Sequence, residues 1–146
     1  MAYNCAQFKD LIEEVLKEVG LHSHSATALL LGTAAKESGF GTYLHQLGRG
    51  PAHGAFQIEE GTFNYLKKKY QEQFPVIKDF TFNQLRWDLR ASIIMARLKY
   101  LSIKSRLPDG DDLLGMAKYW KQHYNTEAGS GTVPQFVKSW KMYVKL

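Results

Sequence analysis

Apolar residues recur at helical spacing along most of the chain. The first stripe runs from Phe8 to Val19 and stops at Gly20, a residue typical of the position that follows a helix C-terminus. This pattern predicts a first helix with one buried face. Later stripes of the same kind predict helices at 62–74, from 83 to 103, after Asp111 or Asp112, and from about Pro134 onwards.

A second apolar stripe ends in a carboxylate. It begins after Ser23 or Ser25, either of which can cap a helix N-terminus, and its inward face includes Ala26. Because an α-helix rotates by about 100° per residue, Glu37 falls almost directly above Ala26 on that face. Burial disfavours a charged carboxyl group and raises its pKa towards values useful for a general acid. On position alone, an exposed glutamate at a helix end is the alternative.

The periodicity stops between residues 39 and 58, where glycines and one proline are frequent. Such residues are typical of turns or of a small hairpin. The helix predicted from 83 is apolar on most sides between 91 and 101, which indicates a core helix. The sequence therefore predicts one mainly α domain (α+β class) spanning residues 1–146, with a small irregular or β-hairpin lobe.

The composition fits a packed globular protein and limits its chemistry. The 146 residues are 45% hydrophobic and 23% charged, which is enough for one core. Cys5 is the only cysteine, so neither an internal disulfide nor a zinc site of paired cysteines can form. The histidines show no metal-ligand spacing, and the glycines form no phosphate-binding loop or dinucleotide fingerprint. We expect no metal and no cofactor.

The charge favours an anionic partner. The net charge is +5, but basic residues are scattered over helix faces apart from 67–69, and they are not interleaved with aromatic residues on one predicted surface. Nucleic acid is therefore not the expected partner, although a helical nucleic-acid-binding domain is one alternative. The N-terminal residues show no secretory signal, and the apolar run at 26–35 is too short to cross a bilayer. We expect no membrane insertion.

Two short motifs follow one another along the chain. Glu37-Ser38 ends the second helix, and residues 54–58, with the sequence Gly-Ala-Phe-Gln-Ile, precede Thr62. The arrangement resembles the soluble lytic transglycosylase branch of the lysozyme-like superfamily, which includes phage endolysins. Its members carry Glu-Ser at a helix end, then Gly-Leu-Met-Gln-Ile, then a threonine that starts the next helix. Here Ala-Phe replaces Leu-Met, and the proline usual before the threonine is absent.

The resemblance covers most of residues 26–65 and implies a lysozyme-like fold that acts on peptidoglycan glycan strands. It implies that Glu37 is the catalytic acid and base. It also implies an orienting or substrate-binding role for Ser38 and cleft-lining contacts from Phe56, Gln57 and Ile58. Gln57 is a polar residue between two apolar ones, so its amide can point into the cleft and bind substrate.

The third element of the family is Ala-x-x-Tyr-Asn near the end of a helix, with the tyrosine close to the catalytic glutamate. Two segments are candidates. Residues 117–120 contain Tyr119 but lack the asparagine, whereas Tyr124-Asn125 lacks the alanine spacing. We favour Tyr124 and Asn125 as the substrate-binding pair. For either tyrosine, a place in the core or the groove wall is equally open.

Most glycosidases use two carboxylates, one on each side of the scissile bond. No Asp or Glu lies between Glu37 and Glu59, so the predicted lobe lacks the second one. This favours a single-carboxylate mechanism. In the transglycosylases that the chain resembles, the 6-hydroxyl of the sugar attacks and leaves a 1,6-anhydro ring. Glu59 or Glu60 remains a candidate for a hydrolytic muramidase, although acidic residues at this position more often interact with a helix N-terminus.

The resemblance implies a compact, monomeric phage endolysin. Such a protein is made in the host bacterial cytoplasm without a signal peptide and reaches periplasmic peptidoglycan after the membrane is permeabilised. A non-catalytic glycan-binding or virion module of the same fold is the remaining alternative. Arg49 and His53 lie in the irregular segment and can contact an anionic sugar or peptide carboxylate, although ordinary solvation of a loop explains them better.

Overall fold

The computed structural model describes residues 2–44, 50–127 and 129–146. These residues form a single compact, mainly helical domain, as predicted. The six α-helices are α1 (Cys5–Glu18), α2 (His24–Ser38), α3 (Glu60–Tyr70), α4 (Leu89–Leu101), α5 (Leu113–Trp120) and α6 (Val133–Tyr143). Two short 3₁₀ helices, Pro75–Ile77 and Asn83–Arg86, precede α4, and a π-helical turn, Lys121–Asn125, continues α5. None of the described helices is both long and apolar enough to cross a lipid bilayer.

Polar side chains fix where the helices begin. Ser23 caps α2 by accepting the backbone N–H of Ala26 at 3.0 Å, so the first of the two candidate serines is the cap. Asp112 caps α5 by accepting the N–H of Gly115 at 2.8 Å. At the other end of α1, Gly20 has a φ of +74°, the left-handed conformation expected after a helix C-terminus. These local predictions are confirmed.

Helix α2 lies at the centre of the domain and packs against α1, α4, α5 and α6. Every residue from 26 to 35 is buried. The sequence pattern predicted only one buried face for this helix. The other faces were not recognised as buried because they carry small or weakly polar residues such as Thr27 and Gly32. These residues allow neighbouring helices to approach from several sides. The prediction that α4 is a core helix is also confirmed, since Ala91 to Leu98 are buried.

The predicted β-hairpin is not present among the described residues. His53 and Ile58 instead form one isolated antiparallel bridge, with N···O distances of 2.9 and 3.0 Å, around a tight turn. The irregular form of the lobe is therefore the correct one for residues 50–58. Residues 45–49, which include His45 and Arg49, lie outside the described residues.

Two helices have other bounds than the sequence pattern predicts. The helix predicted from 83 to 103 is interrupted, because Asp88 accepts the N–H of Ala91 at 2.9 Å and starts α4 there. The apolar stripe did not reveal the interruption. Leu85 is a buried residue of the 3₁₀ helix before α4, and its position also fits the spacing of one continuous α-helix. Similarly, α3 begins at Glu60 and ends at Tyr70, rather than covering 62–74.

Gly32 marks the closest approach between α2 and α6. A Cβ atom at this position would overlap the ring of Phe136 and would lie 3.1 Å from Cε3 of Trp140. Phe136 is completely buried and cannot move aside without disturbing the core. The contact requires glycine.

We predict that Gly32→Ala lowers the free energy of unfolding by about 1–3 kcal/mol, the usual cost of overpacking a core. Alanine is otherwise the better helix former by about 1 kcal/mol. Gly61→Ala is the matched control, because nothing lies within 4 Å of a Cβ at that position of α3. Urea denaturation measures both variants. If Gly32→Ala is as stable as Gly61→Ala, α2 and α6 are not in close contact.

Candidate active site

Glu37 lies in the last turn of α2, immediately before Ser38 and the left-handed cap residue Gly39. The residue as a whole is half-buried, but protein surrounds its carboxyl group almost completely. This enclosure raises the pKa of Glu37 above its ordinary value, and the nearby cations of Lys36 and Lys99 partly oppose the rise. The predicted position of the carboxylate and the predicted direction of its pKa are both confirmed.

Ser38 fastens the end of α2 to the loop formed by residues 53–58. Its buried hydroxyl donates to the carbonyl oxygen of Ala55 at 2.6 Å and accepts the N–H of Gly41 at 2.8 Å. An orienting role for Ser38 fits these bonds. A direct side-chain contact with substrate does not, because the hydroxyl is buried and bonded within the protein.

Gly54 and Gln57, the first and fourth residues of the motif, determine the shape of the loop formed by residues 53–58. Gly54 has a φ of +84°, and a Cβ there would overlap the carbonyl oxygen of Leu85. Gln57 also has a positive φ, +50°, which is strained for a residue with a side chain. Its amide Nε2 donates back to the carbonyl oxygen of Gly54 at 2.9 Å and stabilises this turn. Gln57 is half-buried, and its predicted contact with substrate stays a prediction.

Phe56 and Ile58 do not line a cleft, which corrects the prediction from the motif. Both side chains are buried in the core. The ring of Phe56 contacts Phe8 of α1 edge-on, with centroids 6.2 Å apart. The apolar residues of the motif therefore anchor the loop.

Of the two candidate tyrosines, Tyr124 is the one hydrogen-bonded to the loop of residues 53–58, called the motif loop below. It lies in the π-helical turn, and its buried hydroxyl donates to the carbonyl oxygen of Phe56 at 2.6 Å. Burial and the charge of Glu37 both raise the pKa of Tyr124. Tyr119, the alternative, donates instead to the carbonyl oxygen of Ser105 at 2.9 Å. The preference for Tyr124 is supported, but its side chain is too buried to contact substrate directly.

Asn125 follows Tyr124 and belongs to the same turn. Its Oδ1 atom accepts a hydrogen bond from Nζ of Lys121 at 2.7 Å. The same ammonium group donates to the carbonyl oxygens of Thr126 and Gly129 at 2.8 and 3.1 Å. Asn125 is half-buried, and its predicted substrate contact is untested.

Sequence reasoning missed Lys99 of α4. Its ammonium nitrogen lies 3.7 Å from the ring centroid of Tyr124 and donates to the carbonyl oxygen of that residue at 2.9 Å. Burial lowers the pKa of Lys99, whereas the charges of Glu37 and Glu59 raise it. The available signal was a lysine within the mostly apolar stretch 91–101, because charged residues in a core helix are rare without partners.

Two aromatic side chains complete the surroundings of Glu37. The Tyr100 hydroxyl lies 2.7 Å from Oγ1 of Thr33, and burial raises the pKa of this tyrosine. The indole N–H of Trp120 faces Glu37 and lowers the pKa of its carboxyl group. Within the described part of the chain, the indole N–H makes no hydrogen bond of standard geometry.

An open cavity lies beside the π-helical turn. It has a volume of about 630 Å³ and is lined by Lys118, Lys121, Gln122, Thr126, Glu127 and Val133. Glu37 is not among its lining residues. In the described ranges, no three His, Cys, Asp or Glu side chains are grouped as metal ligands would be.

The arrangement is suited to proton transfer at one carboxyl group. Glu37 is protonated more readily than an exposed glutamate, and the cations near it can stabilise the carboxylate once its proton has left. Comparisons of the chain with protein family models, curated proteins and solved structures found no significant match. Support for a function therefore comes from this geometry and from the motif resemblance.

We predict that Tyr124→Phe lowers the free energy of unfolding by about 1–3 kcal/mol, because the buried carbonyl of Phe56 loses its donor. Tyr119→Phe is the control, since its hydroxyl bond is only partly buried and should cost less. Chemical denaturation of both variants measures the difference. A larger loss in Tyr119→Phe would contradict the role given to Tyr124.

We also predict that Glu37→Gln stabilises the fold at neutral and alkaline pH. Because the folded-state pKa of Glu37 is raised above its unfolded value of 4.5, folding loses stability as the pH rises through the folded pKa. Glutamine is never ionised and avoids this loss. Thermal unfolding should show a higher Tm for Glu37→Gln at about pH 8 and a smaller difference well below pH 4.5. A pH-independent difference would contradict the raised pKa.

Proposed function

We propose that this chain is a peptidoglycan-cleaving enzyme with a lysozyme-like fold. It cuts the β-1,4 bond between N-acetylmuramic acid and N-acetylglucosamine, with Glu37 as the catalytic acid. The observation that carries the proposal is the carboxyl group of Glu37, which is enclosed at the end of α2 with a raised pKa. A glycosidic oxygen is a poor leaving group until it is protonated, and such a carboxyl group can protonate it near neutral pH.

Further support comes from the way the resembling segments meet. The Glu-Ser segment bonds to the motif loop through Ser38 and Ala55, and the Tyr-Asn segment bonds to it through Tyr124 and Phe56. Residues that are far apart in the chain are thereby joined around one carboxyl group.

The reaction that fits one carboxylate is non-hydrolytic. Glu37 gives its proton to the leaving oxygen as the bond from C1 of N-acetylmuramic acid breaks. The carboxylate then takes the proton of the 6-hydroxyl group as O6 bonds to C1, which forms a 1,6-anhydro ring and consumes no water. The groups that act most strongly on Glu37 are the cations Lys36 and Lys99 together with the indole of Trp120, and no carboxylate is among them.

A hydrolytic muramidase is the second candidate, and one observation favours it. Glu59 is exposed at the start of α3, and its charge acts on Lys99, which in turn acts on Glu37. In this case Glu59 would activate a water molecule on the opposite face of the sugar. The two candidates share Glu37 as the acid and differ in their second step.

The biological setting is part of the same proposal. We infer a monomeric phage endolysin that is made in the host cytoplasm and reaches periplasmic peptidoglycan once the membrane is permeabilised. The net charge of +5 supports attraction to a wall polymer that carries peptide carboxylates.

We predict that Glu37→Gln reduces the release of soluble fragments from purified sacculi by roughly 10²–10⁴-fold, the usual contribution of general acid catalysis. The glutamine is nearly equal in size but cannot donate the proton. Glu59→Gln and Glu60→Gln are matched controls, and both should keep their activity if the reaction is non-hydrolytic. Loss of activity in Glu59→Gln would favour the muramidase. A loss below about tenfold in folded Glu37→Gln would place the acid elsewhere.

A further inference from the structure

Lys99 is a charged residue in the most buried part of α4. The residues on both sides of it, Leu98 and Tyr100, are buried. The ammonium group lies against the face of the Tyr124 ring, with its nitrogen 3.7 Å from the centroid, and donates to the carbonyl oxygen of Tyr124 at 2.9 Å. One lysine thus contacts both the ring and the backbone of the residue that anchors the motif loop.

We propose that Lys99 is a positioning residue of the site, which fixes Tyr124 in place and supplies the positive charge that the Glu37 carboxylate needs once its proton has left. Two hydrogen bonds link Lys99 to the motif loop. Lys99 holds the backbone of Tyr124, and the hydroxyl group of Tyr124 holds the carbonyl oxygen of Phe56 in the motif loop.

Capping one carbonyl group does not by itself explain a half-buried lysine whose ammonium group lies against an aromatic ring. Taking an ammonium group out of water is costly, and the cost is recovered only when negative charges or several hydrogen bonds compensate it. Lys121, which is also half-buried, donates three hydrogen bonds, to Oδ1 of Asn125 and to the carbonyl oxygens of Thr126 and Gly129. The side chain of Lys99 donates to one carbonyl oxygen, and the charges of two carboxylates, Glu37 and Glu59, favour its ionised form.

Glu37 is surrounded by groups from several elements, and in the ranges that the structure describes the cations that act on it are Lys36 and Lys99. Lys36 extends from α2 and lies 5.6 Å from the ring centroid of Trp120, and Lys99 extends from α4. The hydroxyl groups of Tyr100 and Tyr124 are buried and neutral at physiological pH, since burial raises the pKa of each. Among the described groups, the two lysines and the indole N–H of Trp120 are therefore the ones that favour the Glu37 carboxylate.

The consequence for catalysis rests on the proposed function. An acid that also acts as a base must lose its proton and then regain one. Burial raises the pKa of Glu37, and the charges of Lys36 and Lys99 limit the rise. The electrostatic coupling between Lys99 and Glu37 does not depend on which substrate is cleaved.

The test is to titrate the Glu37 carboxyl group by ¹³C NMR in the wild type and in Lys99→Met. Loss of the cation should move the Glu37 pKa upward. On sacculi, the alkaline limb of the rate–pH profile should move to higher pH and the maximal rate should fall. Lys99→Arg keeps the charge and should restore the wild-type titration. Lys121→Met is the matched control, because it removes a lysine from the same turn and should leave Glu37 unchanged.

A second titration protects the test against a Lys99→Met variant that fails to fold. In Glu37→Gln, the pKa of Lys99 should fall, since coupling between two sites is reciprocal. An unchanged Lys99 pKa there, or equal shifts of Glu37 in Lys99→Met and Lys121→Met, would overturn the proposal. If the wild type releases nothing from sacculi but the coupling is present, the proposed function fails while the assignment of Lys99 stands.

Discussion

Two hydrogen bonds from buried hydroxyl groups to backbone carbonyls determine the geometry of the candidate site. Ser38 bonds to Ala55 and Tyr124 bonds to Phe56, each at 2.6 Å. The accepting carbonyls are consecutive, so the loop is held from α2 on one side and from the π-helical turn on the other. Loss of either donor would leave a polar group without its partner, which is costly in a buried position. The enclosure of the Glu37 carboxyl group depends on this fastening.

The site is built at the expense of local stability. Glu37 is a carboxylate in an enclosed position, and Phe40 and Gln57 both have positive φ angles that residues with side chains rarely adopt. The surrounding packing offsets these costs. Helix α2 is buried by four other helices, and its contact with α6 is close enough to require Gly32. Strain concentrated beside an ionisable group is typical of functional sites.

The sequence predicted what depends on local patterns and missed what depends on distant residues. The helix caps and the carboxylate above the apolar stripe follow from spacing alone. The resemblance implies cleft contacts for Phe56 and Ile58, but a short motif does not distinguish an apolar residue at a cleft edge from one that anchors a loop in the core. Lys99 was missed because its partners come from α2, the start of α3 and the π-helical turn, which no local pattern brings together.

The most direct test of the account is the mass of the fragments that the wild-type chain releases from purified, unreduced sacculi. With Glu37 working as acid and then base, the fragments should end in 1,6-anhydro-N-acetylmuramic acid, which is lighter than a hydrolysed end by one water and resists borohydride. Reducing N-acetylmuramic acid ends would contradict the single-carboxylate mechanism. The absence of released fragments would contradict the assignment of the chain as a peptidoglycan-cleaving enzyme.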